Sequence, residues 1–307
     1  MARVKKAREH KFLDQHTVLG VILLMYFNFV LIEFVIGAAS AVISEHAGID
    51  HTAGLATGSI IGSILALILW FCFFSPEYKW KPVSGSWGKS FKLLIPLYIY
   101  WVVLFGVFGY CAKGFPFGAL SIPTFLTAIM AGAAEEVAFR EVGLSYLARQ
   151  WKDESKIILM AIIPGVAFGL THVTNLVESR DISTTLLQTL LTLFMGVFLS
   201  AVYLRTGNIW PLILCHSLHD VMTFSGGAKL DALGIQFPDW ITAFLCVTEA
   251  GLFICGLYML RKSKRAEIIE LWNKRWSRDT ESSDASDTGV TDTGVSEEAP
   301  EVASVEA

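Results

Sequence analysis

Residues 17–44 read TVLGVILLMYFNFVLIEFVIGAASAVIS, a stretch in which Glu33 is the single charged side chain. A helix needs about 20 apolar residues to cross a bilayer, so this stretch is long enough to span one. The 307-residue chain is 53 % hydrophobic and 17 % charged, whereas a soluble protein carries about 25 % charged residues. The composition therefore predicts a membrane protein.

Further apolar runs of similar length follow along the chain. With the first, they cover residues 17–44, 52–75, 91–110, 120–147, 157–177, 184–204, 208–226 and 238–260. Polar or Gly- and Pro-containing stretches separate them, as expected of loops between helices. We predict an all-α polytopic membrane protein with about eight transmembrane helices in residues 17–260.

The distribution of charge predicts the orientation of these helices. Basic residues crowd the segment 1–16 and the segment after residue 260, while residues 277–307 are rich in Ser, Thr, Asp and Glu. Eight crossings place most of the 24 Lys and Arg on one side, which is the cytoplasmic side by the positive-inside rule. We expect both termini to be cytoplasmic, and residues 261–307 to form a basic juxtamembrane segment followed by an acidic, disordered tail. The sequence does not predict a basic face on a folded domain, so it gives no indication of nucleic-acid binding.

Ionisable residues inside the fourth predicted helix indicate a functional site. Glu135, Glu136 and Arg140 lie there, and such groups are expensive in hydrocarbon unless they are paired or line a wet cavity. Glu136 and Arg140 are four residues apart, the spacing at which side chains on one helix meet. Neighbouring residues differ by about 100° around a helix, so we expect only one of the two glutamates to point at a given site. Glu135 is then the carboxylate that can take a proton from water.

The fifth and seventh predicted helices carry the other polar motifs. Phe168 and His172 lie four apart in one, and His216 and Asp220 lie four apart in the other. A Glu–His pair formed by Glu135 and His172 can hold one water molecule. A His–Asp pair can bind the oxyanion that develops on an attacked carbonyl. We expect a catalytic cavity between helices 4, 5 and 7, in which Asp220 orients His216.

The three motifs together resemble the CAAX-protease and bacteriocin-processing (CPBP) family of intramembrane endopeptidases. The family patterns E-E-x-x-x-R, F-x-x-x-H and H-x-x-x-N/D correspond here to Glu135-Glu136…Arg140, Phe168…His172 and His216…Asp220. The resemblance covers roughly residues 120–225 and includes Gly207-Asn208-Ile209-Trp210-Pro211 before the last motif. The family often has asparagine at the last position, where this chain has Asp220, an acceptor unless it is protonated.

The resemblance implies a protease that hydrolyses a peptide bond in a membrane-associated protein or peptide. By carry-over, Glu135 and His172 activate water, His216 and Asp220 form the oxyanion side, and Glu136, Arg140 and Phe168 support the site. No cofactor is implied. A lipid bilayer and a peptide or membrane-protein substrate are the expected partners, and the short loops favour a bacterial plasma membrane.

Two alternatives stay open at this point. The same residues are of the types that bind zinc, although the local H-E-x-x-H spacing of a zinc protease is absent from the chain. Intramembrane Glu and His also serve as proton relays in transporters, so a proton-coupled transporter or a non-enzymatic scaffold is the third hypothesis.

Overall fold

The computed structural model describes residues 15–69, 72, 85–176 and 181–277. The predictions for most of the basic N-terminus and for the acidic tail concern residues outside these ranges. Within them the secondary structure is entirely helical. The predicted all-α class is therefore confirmed.

A helix is found at each of the eight predicted runs, and shorter helices precede α4 and follow α9. The helices are α1 (Thr17–His46), α2 (His51–Leu69), α3 (Trp87–Leu93), α4 (Ile95–Ala112), α5 (Ile122–Gln150), α6 (Ile157–Thr171), α7 (Ile182–Thr206), α8 (Trp210–Ala232), α9 (Asp239–Met259) and α10 (Arg265–Ser277). Short 3₁₀ turns precede and follow α6, and the second of them covers His172–Leu176.

In the described part of the chain, six helical segments are long and apolar enough to cross a membrane. They are α1, α4, α5, the segment Glu154–Leu176, α7 and α9. The apolar stretch of α2, Ala53–Leu69, is shorter. The sequence of α8 includes two histidines, two aspartates and a lysine, which lower its hydropathy. The count of eight crossings therefore remains a prediction.

Two helices contain π-helical turns. Val30–Gly37 lies in the middle of α1, and Glu136–Leu144 lies within α5, directly after Glu135. Such turns are rare and occur frequently at functional sites. The second π segment differs from the regular helix assumed for the E-E-x-x-x-R motif, and all nine of its residues are buried.

Helices α5 and α7 are the centre of the bundle. Helix α5 packs against α2 and α8, and its π segment contacts α1 and α6; α7 packs between α6 and α9. The contact between α5 and α8 is close at Gly132, where a Cβ atom would lie 2.7 Å from the backbone nitrogen of Ser217. The hydroxyl of Ser217 donates to the carbonyl of Ile129 at 2.7 Å. Ser217 is thus a packing residue that brings His216 next to the carboxylates of α5.

The family-like stretch 207–211 makes the turn between α7 and α8. Gly207 ends α7 in the left-handed conformation, with φ of 62°, which costs least at glycine. The Asn208 side chain accepts a hydrogen bond from the backbone N–H of Trp210 and donates to the carbonyl of Gly85. Pro211 then occupies the first turn of α8, where its missing N–H is not needed. This turn fixes the start of the helix that carries His216.

Apolar side chains on the outside of the bundle are exposed, as expected of surfaces that face lipid. Val102 is 69 % exposed, Ile122 77 % and Val247 70 %. Exposed apolar surface on this scale is unusual for a soluble monomer. Together with the six candidate spans, it agrees with a multi-pass membrane protein.

The C-terminal helix α10 is attached to α5 and α7 by buried polar contacts. The guanidinium of Arg275 lies 3.1 Å from the Glu141 carboxylate and donates to the carbonyl of Gly207. The hydroxyl of Tyr203 donates to the same carboxylate at 2.5 Å, and the indole of Trp272 donates to the carbonyl of Leu204. Because Glu141 belongs to the π segment, α10 is connected to the part of α5 that carries Glu136 and Arg140.

Candidate active site

The ion pair predicted between Glu136 and Arg140 is present and fully buried. Their side chains are 0 % exposed, and Oε1 of Glu136 lies 2.9 Å from a guanidinium nitrogen of Arg140. The guanidinium also donates to the carbonyl of Gly196 at 3.2 Å and lies over the Phe168 ring, 4.8 Å from its centroid. The guanidinium of Arg140 therefore contacts residues of α5, α6 and α7, which stabilise its charge.

Both glutamates contact the same histidine, which differs from the sequence prediction. Nδ1 of His216 lies 2.8 Å from Glu136, and Nε2 lies 3.5 Å from Glu135. The expectation that only one glutamate can face a site was wrong, because the two carboxylates approach opposite edges of one ring. Nδ1 donates to the Glu136 carboxylate, and Nε2 is left as the atom beside Glu135.

Asp220 is close to His216 but does not have the orienting role expected for it. Its Oδ1 lies 3.8 Å from Nε2 of His216, beyond hydrogen-bonding distance. The shorter contact from Glu136 to Nδ1 fixes the ring instead. Asp220 therefore stands with Glu135 on the Nε2 side of the imidazole.

His172 lies at the end of α6, where the helix tightens into the 3₁₀ turn. Its Nδ1 is 3.4 Å from the carbonyl of Phe168 and 3.3 Å from the hydroxyl of Thr171. The Phe168 ring is edge-on to both His172 and His216, with centroid distances of 5.4 and 5.6 Å. Phe168 therefore separates and orients the two imidazoles.

One cavity of about 610 Å³ is lined by all four predicted catalytic residues, Glu135, His172, His216 and Asp220. Glu135, His216 and Asp220 form the tighter group, because one ligand atom from each lies within 4.8 Å of the others. His172 lines the same cavity outside that group. The three motifs thus converge on one space, with His216 rather than His172 next to Glu135.

Three polar cavity residues are not among the site residues predicted from the sequence. Tyr100, His219 and Glu249 all line the cavity. The Tyr100 hydroxyl donates to the Glu249 carboxylate. A lone acid in an apolar run was the available signal for Glu249. Its partner is 149 residues away, and no local spacing could identify it.

The tighter group is also a donor set that suits a metal ion. Two carboxylates and one imidazole are common zinc ligands, with Zn–N and Zn–O distances of about 2.0–2.2 Å. Their ligand atoms are close enough together to surround one ion. The geometry is therefore compatible with metal-assisted hydrolysis as well as with hydrolysis by a carboxylate base.

Comparison with known proteins agrees with this geometry. Residues 117–222 match the family model described as type II CAAX prenyl endopeptidase Rce1-like. No curated protein and no solved structure matches the chain. The matched range contains all four predicted catalytic residues and the π segment of α5. Residues 117–222 therefore match the CAAX protease (CPBP) family, as the motif resemblance predicted.

Proposed function

We propose that this protein is an intramembrane endopeptidase that hydrolyses a peptide bond in a membrane-associated protein or peptide with water activated by Glu135 and His172. The observation that carries the proposal is the convergence of α5, α6 and α8 on one cavity. Each helix brings a motif of the matched family to it, and the cavity is large enough to hold a segment of peptide. We assign no cofactor to this reaction.

The proposed chemistry assigns one step to each of these side chains. The Glu135 carboxylate accepts a proton from water while the water oxygen forms a bond to the carbonyl carbon. His172, which lines the same cavity, polarises that water. The carbonyl electron pair moves to oxygen, and the resulting oxyanion accepts a hydrogen bond from Nε2–H of His216 when that ring carries both protons. The oxyanion electron pair then re-forms the C=O bond while the C–N bond breaks, and the leaving nitrogen takes the proton from Glu135.

Glu136, Arg140 and Asp220 support these steps in different ways. Glu136 fixes the His216 ring through Nδ1, and Arg140 balances the charge of Glu136. Asp220 lies beside Nε2, where it favours the protonated ring that donates to the oxyanion. Phe168 fixes the separation of the two imidazoles.

We propose that substrates enter from the cytoplasmic side of a bacterial plasma membrane, with both termini on that side. The positive-inside distribution of Lys and Arg supports the orientation. A water-filled pocket that opens to the cytoplasm hydrates the buried carboxylates. Single cysteines at Gln188 or Thr192, which line the cavity, can be probed with membrane-impermeant reagents in a cysteine-free background. Labelling only from outside would contradict this orientation.

The test of the proposed function is peptide hydrolysis by the purified protein in lipid nanodiscs, with products identified by mass spectrometry. We expect Glu135→Gln and His172→Ala to lower the rate by about 10²- to 10⁴-fold, the usual contribution of general acid–base catalysis. Glu270→Gln and His46→Ala are matched controls, because both residues are exposed and neither lines the cavity. If the folded Glu135 and His172 variants cleave as fast as the parent, the assignment is wrong.

A second candidate is a zinc-dependent protease that uses the same cavity. The observation in its favour is the Glu135–His216–Asp220 group. It predicts stoichiometric zinc in the purified protein, loss of that zinc in Asp220→Asn, and activity that disappears with a chelator and returns with zinc. Full activity in metal-free protein would exclude this candidate and support the carboxylate mechanism.

A further inference from the structure

A second polar pair lines the cavity on the side formed by α4 and α9. The Tyr100 hydroxyl donates to one oxygen of the Glu249 carboxylate. The Glu249 side chain is nearly buried, and the residue is 7 % exposed. Tyr100 and Glu249 both lie outside the matched range 117–222, so the family match says nothing about them.

The histidine next to this pair contributes no positive charge. The Trp101 indole N–H donates to Nδ1 of His219 at 3.2 Å. Indole nitrogen is a donor only, so Nδ1 must accept, and the neutral ring carries its proton on Nε2. The His219 ring lies 5.9 Å from the Tyr100 ring. The imidazole beside Tyr100 is thus neutral.

The cavity as a whole is acidic. Three carboxylates line it, from Glu135, Asp220 and Glu249, and no lysine or arginine is among the described residues that do so. Arg140 is absent from the lining and is paired with Glu136. Charges of one sign in a cleft with low-dielectric walls attract ligands of the opposite sign. A cationic group is therefore favoured here over an anionic one.

The apolar lining near Glu249 suits the stem of a long basic side chain. Four apolar residues line the cavity on α4 and α9 or directly before α9: Leu104, Phe108, Phe237 and Leu245. Lysine and arginine side chains place their methylene groups along apolar surface and direct the charged group to polar partners. A lysine or arginine side chain can therefore pack its methylene groups against the apolar walls and pair its charge with the Glu249 carboxylate.

We propose that Glu249, held by Tyr100, is a specificity subsite for a lysine or arginine side chain of the substrate. The inference rests on the proposed endopeptidase function and names its substrate class: a peptide with a basic residue near the cleaved bond. If Glu249 merely joins α4 to α9, it has no influence on which peptide binds.

Peptide binding to the Glu135→Gln variant tests this without requiring cleavage. The probes are neutral alanine–leucine peptides with amidated C-termini, in which one position at a time is lysine or norleucine. At one position or more, we expect lysine to bind at least about tenfold more tightly than norleucine, or about 1.4 kcal/mol. Adding Glu249→Gln should bring the ratio close to one, since glutamine still accepts from Tyr100 but carries no charge.

Two further variants separate specificity from structure. Glu249→Asp keeps the charge and should retain a preference for lysine. Asp239→Asn removes a charge from an exposed position on the same helix and should leave the ratio unchanged. A lysine preference that persists in Glu249→Gln, no preference at any position, or no binding of any peptide would each overturn the subsite.

The outcomes for the subsite and for the protease assignment can be told apart. If the parent binds lysine peptides through Glu249 but cleaves none of them, the protease assignment fails and the subsite remains. If the parent cleaves lysine and norleucine peptides equally well, and binding does not depend on Glu249, the subsite fails and the protease assignment remains.

Discussion

The close contact between α5 and α8 at Gly132 makes a sharp prediction about the active site. A Cβ atom at this position would lie 2.7 Å from the nitrogen and 2.8 Å from the Cα of Ser217, and 3.0 Å from the carbonyl carbon of His216. All three atoms are backbone, so no side-chain rotation relieves the overlap. Gly132→Ala must therefore move α8 away from α5 at the backbone of His216 and Ser217.

The size of the effect follows from these distances. Ordinary van der Waals contact begins at 3.4 Å, so the backbone at Ser217 must recede by about 0.7 Å, and overpacking of this kind typically costs about 1–3 kcal/mol of stability. The same movement displaces His216 from Glu135 and Glu136. Because a misplacement of about 1 Å can lower a rate about 10²-fold, we expect kcat/KM to fall by about two orders of magnitude.

The assay compares kcat/KM with thermal unfolding in the same lipid preparation. Gly227→Ala is the matched control, because Gly227 is on the same helix α8 and a Cβ there has nothing within 4 Å. We expect Gly227→Ala to keep the parental activity and to gain stability slightly, since alanine is the better helix former. Parental kcat/KM in Gly132→Ala would refute the claim that this contact positions His216.

Two further predictions concern the attachment of α10. Arg275→Ala leaves the Glu141 carboxylate buried without its guanidinium partner and should destabilise the protein by about 3–5 kcal/mol, measured by thermal unfolding. Lys274 is the exposed neighbour of Arg275, and Lys274→Ala should leave the stability nearly unchanged. The hydrogen bond from Lys89 holds the pKa of Glu267 below its ordinary value, so this contact stabilises the fold above about pH 4.3 and is lost as the pH falls through the lowered pKa. Limited proteolysis of α10 should accelerate at that acid pH, and Glu267→Gln should abolish the pH dependence; a dependence that survives in this variant would contradict the assignment.

The architecture was predictable because bilayer thickness sets the length of an apolar run. Each of the eight runs corresponds to a helix, and the runs ending near residues 204 and 260 match α7 and α9 to within a few residues. The six candidate spans fall short of the eight predicted crossings because of α2, whose apolar stretch is short, and α8, whose hydropathy is low. Helix α8 has low hydropathy because it carries polar residues of the candidate site. These residues make α8 harder to identify as a transmembrane helix by hydropathy.

Convergence of the motifs was also predictable, but the partners of each side chain were not. Lone ionisable groups in apolar runs indicated a shared cavity, and the spacing of four identified the Glu136–Arg140 pair. The contact of Glu136 with His216 joins residues 80 positions apart and depends on how closely α5 and α8 pack. The π segment could not be predicted either, because nothing in the sequence of residues 136–144 distinguishes a π-helical turn from a regular α-helix.

The arrangement of charges explains how two adjacent glutamates can have different roles. Glu136 has two partners, Arg140 and the Nδ1 edge of His216, and is completely buried, so it acts as a fixed acceptor that sets the position of the ring. Glu135 is 16 % exposed and lies at the cavity, where it can exchange a proton with water. In the proposed mechanism, removing Glu136 therefore affects the position of His216 and leaves the charge of Arg140 unbalanced, whereas removing Glu135 removes the base that takes the proton from water. A Glu136→Gln variant that retains full activity would show that the ring is held in another way.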